Sequence, residues 1–173
     1  METTGRNLHK DEIITIQFQR LNGFTGEPIG ELEILKRWES SEKEILKTFL
    51  PNLSGKPFDF IAVGDNLMFE FCFLSKRMRQ NNLGELGMSY LYDTPFVNLK
   101  PVLVLINEGF RGYTSIIPKT SPIGNKEIPQ LFQEGKYPQI IQYIKDEAED
   151  VIRAYQTLKR EMPKLKNLIT KPG

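Results

Sequence analysis

A chain of 173 residues, 39% hydrophobic and 26% charged, is long enough for one domain with a sizeable core and too apolar for wholesale disorder. Its formal net charge of +1 supplies no global field, so nucleic-acid or membrane binding would have to rest on a local patch. One cysteine, Cys72, excludes an internal disulfide and a zinc site built on several thiolates, and it points to a cytoplasmic compartment.

Taken in order, residues 1–10 read as a flexible polar lead-in without a signal-peptide pattern. Residues 12–19 alternate, with Ile14, Ile16 and Phe18 on one face and Thr15, Gln17 and Gln19 on the other, which predicts a half-buried strand. The turn Asn22-Gly23-Phe24-Thr25-Gly26-Glu27-Pro28 leads into a second alternating segment, 29–36, and the two predict an antiparallel hairpin. Ser41 followed three residues later by Glu44 fits a capping box. Ile45, Leu46, Phe49 and Leu50 then form the apolar face of a helix that Pro51 stops.

Residues 57–73 are aromatic and β-branched on either side of Gly64-Asp65-Asn66, the composition of two strands joined by a tight turn. Each arm carries one carboxylate, Asp59 and Glu70. A buried acid is costly unless it is paired, hydrogen-bonded or bound to a cation, so two acids on neighbouring strands are a candidate metal pair. Cys72 reads as a small buried hydrophobe in the second arm. The segment 75–80 is basic and compatible with a helix, and an irregular excursion follows to about residue 100. Residues 101–107 form an apolar run, the pattern of a strand buried on both faces, and 113–117 predict one more short strand. In the last third, Ile141, Ile144, Ala148, Val151, Tyr155, Leu158 and Met162 recur at spacings of 3 and 4, which predicts a long helix. That stripe is either its packing face on the sheet or a seam for an oligomer or protein partner. Pro163 is expected to end the helix, leaving 164–173 as a basic tail. No stretch reaches the roughly 20 apolar residues of a membrane span, so a soluble protein without membrane partners is expected.

The order helix, strand with Asp, strand with Glu, basic helix and apolar strand resembles the core of the PD-(D/E)XK nuclease superfamily. The strings that carry it are Phe58-Asp59-Phe60-Ile61-Ala62 and Met68-Phe69-Glu70-Phe71, within about residues 41–107. The resemblance implies a restriction-endonuclease-like core in which Asp59 and Glu70 hold magnesium or manganese. It also implies an accessory acid from the capped helix, Glu44 or Glu42. A divalent ion there would neutralise developing charge and lower the pKa of a bound water. The family keeps a lysine two residues after the second acid. This chain has Cys72 there, and Lys76 is the nearest substitute. Lys76, Arg77 and Arg79 would contact phosphates.

Each of these residues has a plainer reading. Asp59 could cap backbone amides or pair with Lys56, Glu70 could be solvated or paired with Lys76 or Arg77, and the three cations could form a solvated helix face. His9 alone in the lead-in gives no nucleophilic triad. The expectation is one α/β domain over 1–173, with a central mixed sheet flanked by helices and a long C-terminal helix. Its function is that of a divalent-metal-dependent nuclease or a nuclease-derived nucleic-acid-binding domain. The alternative is a non-catalytic protein-interaction or scaffold module that uses the C-terminal helix.

Overall fold

The computed structural model describes residues 1–53, 61–106 and 119–169. Asp59 and the strand predicted over 113–117 lie outside the described residues. Among those described, the architecture is α/β, with six α-helices and two separate sheets in place of one central mixed sheet.

The first sheet is antiparallel, in the order β1 (Glu2–Thr3), β2 (Ile13–Leu21), β3 (Pro28–Lys36). The predicted hairpin is present, in register from Thr15 opposite Lys36 to Phe18 opposite Glu33, with a bulge before Arg20 meets Ile29. Its first strand is fully buried at its start and partly exposed from Gln17 on. Ile13, Ile14, Thr15 and Ile16 are all shut off from solvent. Helices cover both faces there: Ile13 and Ile16 pack toward Leu46, Phe73 and Met78, whereas Ile14 packs toward Ile128, Ile140 and Ile144. The polar lead-in is also tied down, because Glu2 and Thr3 pair with Thr15 and Ile13.

Helix α1 (Glu42–Phe49) begins where the cap predicts, the Ser41 hydroxyl accepting from the Glu44 N–H at 3.2 Å. It buries Ile45, Leu46 and Phe49, and a 3-10 turn over Leu50–Leu53 follows at Pro51.

The second sheet pairs β4 (Ala62–Gly64) with β5 (Phe96–Asn98) in parallel, Gly64 lying opposite Asn98. Between them run α2 (Leu67–Gln80) and α3 (Met88–Asp93). This corrects the central expectation, since residues 67–73 are the first half of a helix and not the second arm of a hairpin. Leu67, Phe71, Leu74 and Met78 recur at spacings of 4, 3 and 4 and are buried, so the apolar run is one face of a longer helical stripe. The run expected to be a strand from residue 101 is likewise helix, α4 (Leu99–Ile106), with Leu99 and Leu103 one turn apart and fully buried.

After α5 (Ile128–Gln133), α6 (Tyr137–Ile169) takes 33 residues and carries Pro163 inside it, so the helix continues past the proline into the expected tail. Its inner face is rotated from the predicted stripe. Ile140, Tyr143, Ile144, Ala154 and Leu158 are buried, while Ile141, Val151 and Tyr155 are only partly covered. The shift arises because two acids, Glu147 and Asp150, occupy inward positions that hydrophobicity alone skips. Asp150 is 8% exposed and accepts from the Thr120 N–H at 3.1 Å and from its hydroxyl at 2.8 Å. The outer end of this face closes on α4, where Ala154 and Leu158 meet Leu99 and Leu103.

Candidate functional site

Glu70 sits in the first turn of α2, where a carboxylate faces the positive end of the helix dipole. The strand pairing of β1 on β2 brings the start of the chain beside it, and the Met1 amino group lies 3.8 Å from Glu70 Oε1. Burial pushes the Glu70 carboxyl above its ordinary range; the Met1 ammonium opposes this, and the charges of Glu147 and Asp65 add to it. Solvent reaching its 37% exposed side chain screens the effect.

Glu2 is enclosed more tightly, at 7% exposure, and takes a hydrogen bond from Gln17 Nε2 at 3.1 Å. The Gln17 amide is itself oriented by Thr15, whose hydroxyl donates to Gln17 Oε1 at 3.1 Å. Burial raises the Glu2 carboxyl to about 7; the Met1 ammonium works against that shift, while Glu147 reinforces it. Tyr143 donates its hydroxyl to Glu147 Oε1 at 3.0 Å, and burial followed by the Glu147 and Glu2 charges raises its pKa. The Met1 ammonium is held protonated against the cost of its own burial by Glu70, Glu2 and Glu147. Together these groups bring carboxyls of β1, the start of α2 and α6 within electrostatic reach of one amino group.

The carboxyl ends of β4 and β5 border this region. Asp65 follows β4, and Asn98 closes β5 with its Oδ1 buried and without a hydrogen-bond partner. Ligands of parallel sheets gather at such strand ends. Among the described residues no three His, Cys, Asp or Glu side chains are grouped so as to hold a metal ion.

The other residues singled out from the sequence are dispersed. Glu44 is on the exposed side of α1, paired with Lys47 at 3.0 Å. Glu42 is buried and fully engaged. It accepts from Arg77 Nε at 2.8 Å and Nη2 at 2.5 Å, from the Ile13 N–H at 2.7 Å and from Asn81 Nδ2 at 2.9 Å. Arg77, 7% exposed, also lies 3.5 Å from Glu12. It is therefore a clamp joining β2, α1 and α2, a geometry that leaves its guanidinium turned away from solvent and from any phosphate outside. Arg79 is 72% exposed beside Glu85, and Lys76 is one turn away on the same outward side of α2. Glu70 and Lys76 are six residues apart on this helix, about 120° round it and ~9 Å along it. Cys72 is exposed on α2, because the helix turns outward a side chain that a strand core would have enclosed.

In comparisons with known proteins, no family model, no curated protein and no solved structure matches the chain. The site rests on its own geometry.

Two of its members were within reach of sequence reasoning and one was not. Glu147 interrupts the apolar stripe of α6 at an inward position, which is a readable signal. Asp65 sat in the turn between the two predicted arms. Glu2 gave none, because nothing in a polar lead-in marks which residue a sheet edge will bury.

Proposed function

We propose that the chain is a divalent-metal-dependent nuclease, or a nuclease-derived nucleic-acid-binding domain, whose cation site includes Glu70 and Asp59. The observation that carries this reading is the crowding of carboxyls around Glu70, where the charges of Glu147 and Asp65 act on it and the Met1 amino group lies 3.8 Å away. A magnesium or manganese ion would relieve that repulsion and keep the acids ionised. Acids perturbed by burial and by one another mark functional sites more often than bland surfaces do.

The run from β4 through α2 to a parallel β5 also supports a restriction-endonuclease-like core, the parallel strand falling at Phe96–Asn98, just ahead of the apolar run. A divalent ion held there would supply Lewis-acid chemistry. Lys76 and Arg79 on the outward side of α2 hold the backbone of the substrate.

The deciding experiment titrates manganese into the purified chain with single- and double-stranded DNA and RNA. Cleavage, or metal-dependent binding, and a rise in melting temperature with millimolar manganese are expected. Asp59→Ala and Glu70→Gln should each abolish both effects while leaving circular dichroism unchanged. Cleavage retained by either variant would remove the assignment.

A second reading, a non-catalytic interaction module that uses the C-terminal helix, has its own observation. Most of the helix stripe is spent on the chain's own core, but at its outer end Met162 is 45% exposed and the neighbouring hairpin tip presents Phe24 at 95% exposure.

A further inference from the structure

Strand β3 closes one side of the antiparallel sheet, and among the described residues no strand pairs with its outer edge. The two halves of that edge differ. Over the first half, Pro28 has no N–H to offer, Gly30 turns out of the strand with φ +80, and the ladder slips between the pairs Phe18–Glu33 and Arg20–Ile29. These are devices that keep a foreign strand off. From Glu33 to Lys36 there is no such device, and the strand runs in regular register opposite Phe18 to Thr15.

That register fixes which backbone groups face outward. The Arg37 N–H donates to the Ile14 carbonyl at 3.0 Å, so the pair before it, Lys36 opposite Thr15, exchanges no bonds of its own. By alternation Leu35 and Glu33 spend their N–H and carbonyl on β2, whereas Ile34 turns both groups to the open side. The Lys36 carbonyl on that side accepts from the Glu39 N–H at 3.2 Å, which ends the open stretch.

The side chains beside the edge divide by face. Leu32 and Ile34 pack toward Ile14, Ile128 and Ile140, and Trp38 and Tyr137, stacked at 4.6 Å, border them as a partly covered aromatic rim. Glu31 and Glu33 alternate with these and are exposed on the opposite face. The nearest cations of the strand end are engaged elsewhere, Lys36 with Glu39 at 2.9 Å and Arg37 with Glu12 at 2.6 Å. Among the described residues neither Glu31 nor Glu33 has an ion-pair partner. A strand added here sets apolar side chains beside Leu32 and Ile34 and faces Glu31 and Glu33 with the residues between. A second copy of β3 does not supply the matching charge. Twofold registers centred on Leu32, Glu33 or Ile34 put Glu33 opposite Glu31, Glu33 or Leu35, never opposite a cation.

We propose that the edge from Leu32 to Lys36 takes up an extended segment of a partner protein in which apolar residues alternate with lysine or arginine. The surface involves neither Glu70 nor the C-terminal helix, so its failure leaves both readings given above standing. The test uses the full chain and two labelled peptides of about nine residues, valine alternating with lysine or with glutamate. Fluorescence anisotropy should show the lysine peptide binding and the glutamate peptide not. The double variant Glu31→Lys, Glu33→Lys should reverse that preference, each affinity changing at least about tenfold, with the melting temperature unchanged because both side chains are exposed. Two further lysine peptides carry N-methyl groups on every valine or on every lysine. Successive amides of a strand point to opposite sides, so one series should lose binding and the other keep it. Equal binding of the lysine and glutamate peptides, or a preference that the double variant does not reverse, would overturn the basic partner. Loss of binding in both methylated series, or in neither, would overturn pairing at the edge. A chain that sediments as a dimer and binds neither peptide would overturn the proposal in favour of a second copy, and a monomer that binds neither would overturn it outright.

Discussion

Arg77→Ala is expected to destabilise the protein by about 3–5 kcal/mol, because it strands the Glu42 carboxylate in a buried position with its main counter-charge gone. For a domain of this size that corresponds to a fall in melting temperature on the order of 10 °C. The loss should exceed that of Arg79→Ala on the exposed face of the same helix, which is near zero. Arg77→Lys should recover little, since one ammonium cannot reproduce a fork that meets both Glu42 oxygens. The pair also fixes a pH dependence. Burial alone would raise Glu42, but Arg77, the Ile13 N–H and Asn81 together hold it below the usual carboxylate range. A depressed folded pKa contributes stability above the unfolded value and loses it as pH falls through the folded one. Thermal melts across acid pH check both statements. A change under one degree in Arg77→Ala would refute the clamp.

The second large effect runs the other way. Glu2 is raised from 4.5 to about 7, so the folded state holds its proton more tightly than the unfolded chain does. The favourable contribution is complete below the unfolded value and disappears as pH rises through about 7. Raising the carboxyl from 4.5 to about 7 is worth about 3 kcal/mol. The wild-type protein should therefore unfold at lower urea at pH 8 than at pH 5, and Glu2→Gln should remove most of the difference. A flat urea midpoint in the wild-type protein would contradict the burial of this carboxyl. Glu42 and Glu2 thus bracket an interval of greatest stability on the mildly acidic side of neutrality.

How much of this was legible depended on whether a signal was local. The β2–β3 hairpin and the capped start of α1 follow from alternation and from Ser41 with Glu44, features that act within a few residues. The long final helix was legible for the same reason. Its inner face was not, because Asp150 is buried by a partner distant in sequence, Thr120, and Glu147 turns toward Glu2 on the β1 edge. The segment from residue 67 misled for a different cause. Six apolar or aromatic residues around one acid satisfy either period, and only the continuation through Leu74 to Met78, across a basic stretch that looked like a new element, decides for the helix. The same ambiguity governs residues 99–106, where only the i, i+4 burial of Leu99 and Leu103 reveals α4. Of the candidate site, Glu70 was legible as an acid in an apolar setting. Its neighbours Glu2 and Glu147 come from opposite ends of the chain and meet it only through tertiary packing.

The outward turn of Cys72 has a practical corollary for anyone studying the protein. As the one cysteine of the sequence, exposed on α2, it offers a single handle for a thiol-reactive dye with no substitution needed elsewhere.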